Sequence, residues 1–372
     1  MMNSIHIYQI TLIGDIYIMI DKQTFTREHF DILRKNKVVN PPILERAIFA
    51  LGLLEALRKV GMDFIFKGGS SLMLLLSKPM RLSTDVDILV EPGYDVDEYI
   101  LKASTIFPFL RKEESIRKTN KNIGKRHFRF YFKSILNPDD ELSILLDVVY
   151  ERNPYPSLVE KEIANNLLVN SGEPLKVKMP SVDSIIGDKL NAFAPHTTGV
   201  NFFNSDFTND KRLEVIKQFY DVATLFDYIN DYNVIRSSYL SVNENELKFR
   251  DLSIGYKECL LDSYSSALTI LLRGENGDKD YPNYLEGMRR IVGHIYGENF
   301  SSEVARLHAP KVMFLAACLY CDADPKSVSF DNVQIPKSPY YKKISALGKA
   351  PRTKKAYDLA VAAINSMEKM NL

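Results

Sequence analysis

The spacing of hydrophobic and polar positions divides the chain into a mixed α and β half and a helical half. Residues 41–60 have apolar side chains every three or four positions, which predicts a helix that Asn40 caps and Gly61 ends. Short runs of β-branched and aromatic residues predict strands, and the last of these runs alternates like an edge strand. The runs are 63–66, 84–90, 127–132, 141–151 and 174–180. Short helices are predicted after residue 70 and over 94–106.

From residue 181 onward the pattern is mainly helical. Ser181 is predicted to cap a helix that ends near Ala194, and a 3–4 spacing of apolar residues predicts another over 209–229. Further helices are predicted over 256–272, 283–297, 301–321 and 353–369. This order predicts an α+β fold, with a mixed sheet first and a helical C-terminal region after it. We expect an N-terminal extension (1–39), a core (40–195) and a mostly helical C-terminal domain (196–372).

The composition of the chain limits which cellular compartment and which partners are expected. The chain has 372 residues, a net charge of +1 and only three cysteines. We therefore expect no disulfide framework, and we expect a cytoplasmic location. The sequence shows no apolar run long enough to span a bilayer and no basic segment typical of a signal peptide, so we expect no membrane partner. With nearly balanced charge, nucleic acid would have to bind to local basic patches.

Candidate chemistry begins at a glycine turn that opens a short helix. Lys67 precedes this turn, which consists of Gly68, Gly69, Ser70 and Ser71. Backbone N–H groups at the start of a helix bind phosphate groups well, so a phosphate site is expected here. A simple connecting turn is the alternative. Lys67 and, further on, Arg81 flank the turn and are expected to contact phosphate or to be solvated.

Three carboxylates on two predicted strands suggest a metal. Asp85 and Asp87 point to the same face of their strand because successive strand residues alternate. Two close carboxylates repel each other unless a cation lies between them, and Mg²⁺, or Mn²⁺ in its place, suits such a pair. Asp147 lies within an apolar strand, where it needs a metal, an acceptor hydroxyl or an arginine such as Arg129 as partner. An exposed, solvated pair is the alternative for Asp85 and Asp87.

Together these features resemble the nucleotidyltransferase superfamily with the polymerase β-like fold. The stretch "FKGGSSL...RLSTDVDI" is similar to the signature of the AbiEii/AbiGii toxin-like nucleotidyltransferases, the toxins of type IV toxin–antitoxin systems. The resemblance covers residues 40–230. It implies the polymerase β-like mixed sheet, a Mg²⁺-dependent transfer of a nucleoside monophosphate from an NTP, and a cognate antitoxin as partner.

The resemblance also assigns roles to residues. Asp85, Asp87 and Asp147 would be the metal-binding and catalytic carboxylates. Lys189, in "SIIGDKLNAFA", would contact the nucleotide and take part in catalysis, and Asp221, in "IKQFYDVATLF", would orient a substrate. For Lys189 the alternative is a helix-face lysine paired with Asp183 or another acid. For Asp221 it is an ordinary surface acid of a helix or a cap for the long loop.

The resemblance implies that the acceptor is RNA, the 3′ end of a tRNA. Two basic stretches, 117–133 and 337–355, offer phosphate contacts, with solubilising surfaces as the alternative. Transfer to a protein or small molecule, and a non-catalytic partner-binding module, are the other functions that the sequence leaves open.

Overall fold

The computed structural model describes residues 20–35, 39–115, 124–204, 207–328, 330 and 336–370. Most of the predicted N-terminal extension, residues 1–19 and 36–38, lies outside this part of the chain, as do the basic residues Arg117, Lys118 and Lys121. In the described part, no helix combines the length and the apolar character needed to cross a membrane.

One mixed sheet of seven strands forms the centre of the protein. Its spatial order is β3-β4-β5-β2-β1-β7-β6. The pairs β1·β7 and β2·β5 are parallel, whereas β1·β2, β3·β4, β4·β5 and β6·β7 are antiparallel. The strands are β1 (Ile65–Lys67), β2 (Asp85–Val90), β3 (Phe109–Glu114), β4 (Gly124–Lys133), β5 (Glu141–Tyr150), β6 (Leu158–Glu162) and β7 (Lys176–Pro180).

Helices cover the sheet and form most of the chain after it. They are α1 (Arg27–Arg34), α2 (Pro41–Lys59), α3 (Gly68–Leu75), α4 (Asp97–Ala103), α5 (Val182–Ala192), α6 (Arg212–Leu225), α7 (Tyr232–Arg250), α8 (Tyr256–Leu272), α9 (Tyr281–Ile291), α10 (Ser302–Tyr320), α11 (Tyr341–Ile344) and α12 (Pro351–Glu368). The predicted α+β class, with a mixed sheet followed by a helical region, is therefore confirmed.

The structure differs from the sequence prediction at several elements. Strand β7 is not an edge strand, because β6 pairs along its outer side. The edge strands β3 and β6 were missed, since their charged residues lack a strong strand signal. Helix α7 was also missed, because polar residues interrupt its apolar face. Asn40 precedes α2 but makes no side-chain capping bond, whereas Ser181 caps α5 as predicted.

The core lies between α2 and one face of the sheet. Val86 and Ile88 of β2, with Leu146 and Val148 of β5, are fully buried on this face. Helix α2 packs on both strands and is buried on nearly all sides, so it is more enclosed than its predicted apolar stripe indicates. The opposite face of β2 and β5 is therefore left for polar residues.

Helices from the later part of the chain pack beside the second face and leave Asp85 and Asp147 partly accessible. Helix α5 follows β7 and packs closely against α7. Gly187 of α5 allows this approach, because a Cβ atom there would lie 2.7 Å from the carbonyl oxygen of Ile235 and from the backbone nitrogen of Tyr239. The position of α5 over the sheet thus depends on a residue without a side chain.

We predict that Gly187→Ala lowers the free energy of unfolding by about 1–3 kcal/mol, because two backbones must move apart to admit the methyl group. Chemical denaturation measures the change. Gly255→Ala is the matched control, since its Cβ would approach only the flexible carboxylate of Glu258. Equal stability of the two variants would contradict the close packing of α5 on α7.

Candidate active site

The polar face of the central strands gathers the carboxylates that the sequence singles out. Asp87 pairs in register with Lys67 of β1 on one side and with Asp147 of β5 on the other. Asp85 lies two residues before Asp87, at the exposed start of β2, and so points to the same face. The three carboxylates and Lys67 therefore share one surface, although 60 residues separate Asp87 from Asp147 in the sequence.

The electrostatics of this surface favour a cation. Loss of solvation and then the neighbouring charge of Asp147 raise the pKa of Asp87 to about 6, against the opposing effect of Lys67. Asp85 adds to the increase, and Lys189 opposes it. The ionised form of Asp87 is thus destabilised in the folded protein, and a bound cation would stabilise it.

Asp147 has a partner that the sequence analysis did not identify. The alternative of an Arg129 partner is not realised in the structure. Instead, Nδ1 of His127 lies 2.6 Å from Oδ1 of Asp147. The two residues are direct cross-strand neighbours on β4 and β5, so the sheet register brings them together. Sequence alternation places His127 on one face of β4, but only the register shows what it faces.

The glycine turn begins α3 beside Asp87. Gly68 has a φ of +73°, and a Cβ atom there would lie 2.1 Å from Oδ2 of Asp87, so both conformation and space require glycine. The hydroxyl of Ser70 donates to the carbonyl oxygen of Asp85, and that of Ser71 donates to the carbonyl oxygen of Gly68 at 2.8 Å. These hydroxyls stabilise the turn, and the first backbone N–H groups of α3 remain suited to bind an anion.

Arg81 is buried beneath this turn. Its guanidinium group donates to both carboxylate oxygens of Asp221, at 2.6 and 2.7 Å, and both side chains are almost inaccessible to solvent. A Cβ atom on Gly69 would lie 2.7 Å from Nη2 of Arg81, so the turn rests on the guanidinium group. Arg81 therefore supports the turn from below, and Asp221 holds Arg81.

Lys189 connects this ion pair to the carboxylates. Its Nζ atom donates to Oε1 of Gln218 at 3.0 Å and lies 3.5 Å from Oδ2 of Asp221. Its charge also acts on Asp87. The acid beside Lys189 is therefore Asp221 and not Asp183, which accepts from the backbone N–H groups of Asn230 and Asp231. The predicted residues of α5 and α6 thus lie beside those of the sheet.

The donor set fits a metal shared with a substrate. Among the residues that the structure describes, no three His, Cys, Asp or Glu side chains form a group that could hold a metal ion by themselves. Mg²⁺ commonly takes one or two protein carboxylates and completes its shell with water and substrate phosphates. Asp85 and Asp87, next to an anion-binding turn and under mutual repulsion, meet that requirement.

The two basic stretches have different surroundings. In the C-terminal one, Lys343 contacts Glu275, Lys354 contacts Asp358, and Lys355 lies 2.9 Å from Asp227. These three lysines pair with acids of the protein but stay exposed, as do the other basic residues of the stretch, so it remains a candidate for RNA contact.

The described part of the first stretch is strand β4. Lys125, Arg129 and Lys133 alternate with core residues and lie on the same face as His127. Arg129 and Lys133 are exposed. Exposed cations therefore lie on the side of Asp147 away from the glycine turn, with Glu113 opposite Arg129 and Glu141 opposite Lys133 on the neighbouring strands.

Comparison with known proteins assigns the chain to a family. A family model described as "Nucleotidyl transferase AbiEii toxin, Type IV TA system" matches residues 53–301, which is more than half of the chain. The crystal structure of an antigenic nucleotidyltransferase-like protein from Paracoccidioides brasiliensis is similar with a TM-score of 0.36 and 15% identity, over 56% of this chain and 90% of that chain. No significant match is found among curated proteins.

The chain belongs to the AbiEii nucleotidyltransferase toxin family of type IV toxin–antitoxin systems. It is therefore a nucleotidyltransferase, and the resemblance stated from the sequence is confirmed. Family membership implies a nucleotide substrate and an antitoxin partner.

We predict that Asp87→Asn stabilises the metal-free protein by about 1–3 kcal/mol at neutral pH. Because the folded-state pKa is near 6 and the usual value is 3.8, stability is lost as the pH rises between these values and stays constant above them. The gain from the substitution should therefore grow from pH 4 to pH 6 and then level off. Denaturation in EDTA at several pH values measures it, with the exposed Asp139→Asn as control. A large loss of stability would contradict a repelling pair.

We predict that Asp221→Asn lowers the free energy of unfolding by about 3–5 kcal/mol, because the buried charge of Arg81 loses its partner. The double variant Arg81→Met/Asp221→Leu should recover part of this loss, since it leaves neither charge of the pair but also removes the acid beside the buried Lys189. Denaturation curves test both expectations. Asp31→Asn, in the exposed Arg27–Asp31 pair, is the control and should change stability little. A double variant as unstable as the single one would show that the ion pair is not the cause.

Proposed function

We propose that the protein uses Mg²⁺ to transfer a nucleoside monophosphate from an NTP to a hydroxyl group of RNA, at the 3′ end of a tRNA. The observation that carries this proposal is the convergence of Asp85, Asp87 and Asp147 on one face beside the glycine turn. Mn²⁺ would serve in place of Mg²⁺. We place the reaction in the cytoplasm, as the low cysteine content predicts.

Different residues of the site bind the phosphates and the metal. The N-terminus of α3, residues 68–71, binds the β- and γ-phosphates, with Lys67 beside it. Asp85 and Asp87 hold the metal, with Asp147 as a further carboxylate next to them. When bound, Mg²⁺ supplies neutralisation of the charge on the triphosphate. Lys189 adds a positive charge close to Asp87.

In the reaction, the acceptor oxygen forms a bond to the α-phosphorus as the bond from that phosphorus to pyrophosphate breaks. Asp147 takes the proton of the acceptor hydroxyl, and His127 fixes the orientation of its carboxylate. In-line transfer of this type depends mainly on positioning and charge stabilisation. Asp221 acts as a positioning residue, because its two oxygens bind Arg81 and Arg81 supports the turn.

The basic face of β4 supports RNA as the acceptor. Lys125, Arg129 and Lys133 lie on the side of Asp147 that is opposite to the phosphate-binding turn. An acceptor that approaches Asp147 from this side would place its phosphates on these cations. A small-molecule acceptor would not need such an extended surface.

We predict that total tRNA takes up label from at least one of the four α-labelled NTPs when Mg²⁺ is present. Asp85→Asn and Asp87→Asn should abolish labelling, and Lys189→Ala should reduce it at least tenfold, which corresponds to about 1.4 kcal/mol of transition-state stabilisation. Labelling should fall steeply between low and moderate salt because phosphate contacts release counterions.

Charge-reversal variants distinguish binding of the RNA acceptor from binding of the NTP. Arg129→Glu and Lys133→Glu should weaken RNA labelling without changing NTP affinity, whereas the exposed Lys176→Glu on β7 should change neither. If the label enters a protein or a small molecule and not RNA, the proposed RNA acceptor is wrong. Absence of metal-dependent pyrophosphate release with every NTP and acceptor would refute the transfer itself.

A further inference from the structure

A second polar site lies at the far end of the strands that carry the carboxylates. Where β5 ends and α7 passes over it, a cleft of about 330 Å³ opens to solvent. This volume is at the lower end of the range for small-molecule pockets. Its lining includes Tyr150, Glu151, Arg152, Asn245, Lys248 and Phe249.

The carboxylate of the cleft lies on the same face of the sheet as the candidate active site. Glu151 follows Asp147 by four residues, so the two point to the same face, about 13 Å apart along the chain. Lys67 pairs in register with Asp87, and its charge opposes the increase in the pKa of both Asp87 and Glu151, so it lies near both carboxylates. Burial and the charge of Asp188 raise the pKa of Tyr155, and the charges of Glu151 and Asp87 add to the increase. A nucleotide with its phosphate at Asp87 would therefore extend along this surface toward the cleft.

The chemistry of the cleft suits a flat, polar ring. Asn245 donates from Nδ2 to Oε1 of Glu151 at 2.6 Å, which fixes the carboxylate. Within the described part of the chain, Oε2 has no hydrogen-bond donor and can accept one from a ligand. Phe249 supplies aromatic surface, and Nζ of Lys125 lies 5.3 Å from the centre of its ring. An aromatic ring and a fixed carboxylate are groups that bind a nucleobase by stacking and by its amino edge.

We propose that this cleft is a nucleobase pocket in which Glu151 accepts a hydrogen bond from an exocyclic amino group. The inference rests on the proposed function for its location but not for its test. It selects cytosine over uracil and adenine over hypoxanthine, because each pair differs by an amino group in place of a carbonyl oxygen. The base belongs either to the incoming NTP or to the terminal nucleotide of the acceptor RNA.

The test measures binding in two arms with the full chain and Mg²⁺. Calorimetry compares CTP with UTP, and ATP with ITP, in the absence of RNA. Fluorescence anisotropy compares short RNA oligonucleotides that differ only in a terminal C or U. The wild-type protein should prefer the amino form by about tenfold in one arm, because a carbonyl oxygen facing the carboxylate loses the hydrogen bond.

Glu151→Gln should remove the preference in that arm, because an amide can donate to a carbonyl oxygen as well as accept from an amino group. Glu160→Gln, an exposed position on the edge strand β6, should keep it. Loss of preference in the calorimetric arm assigns the pocket to the NTP, and loss in the anisotropy arm assigns it to the acceptor.

No amino preference in either arm, or a preference that survives Glu151→Gln, would overturn the pocket. Both arms measure binding, so a protein that shows the preference but transfers no nucleotide would refute only the proposed transfer. Conversely, transfer to RNA without any base preference that depends on Glu151 would refute only the pocket.

Discussion

The buried ion pair between Arg81 and Asp221 is the constraint on which the site depends. It joins the segment before β2 to helix α6, and neither charge can remain in that interior without the other. The glycine turn rests on the guanidinium group through Gly69, and Lys189 approaches the same carboxylate. The glycine turn, the helical region and the lysine therefore all meet at this one pair of side chains.

A second, opposite constraint acts at the carboxylates. Sheet register forces Asp87 and Asp147 to be neighbours, and their repulsion raises the pKa of Asp87. The fold thus stabilises Arg81 with a partner but leaves Asp87 without enough positive charge around it. A site of this kind is prepared for a cation that arrives with a substrate. His127 restrains Asp147, so the repulsion is not relieved by turning that carboxylate away.

The AbiEii family can be assigned from the sequence itself. The functions of the basic residues around the site cannot, because they depend on where each side chain lies. Lys354 and Lys355 are exposed and pair with acids of the protein. Arg129 and Lys133 are also exposed, and they lie on the face of β4 that carries His127, the cross-strand partner of Asp147. Charge in the sequence therefore identifies candidates for RNA contact, and only the position of each side chain separates them.

The sequence by itself determined the elements with strong local signals. Alternation within β2 placed Asp85 and Asp87 on one face, and the glycine turn predicted the start of α3. It did not determine the edge strands β3 and β6 or helix α7, whose polar residues weaken the periodic pattern. The partners of Asp147 and Asp221 also depended on the tertiary structure. Each of these contacts joins residues far apart in the chain, and register and helix packing bring them together, not local preference.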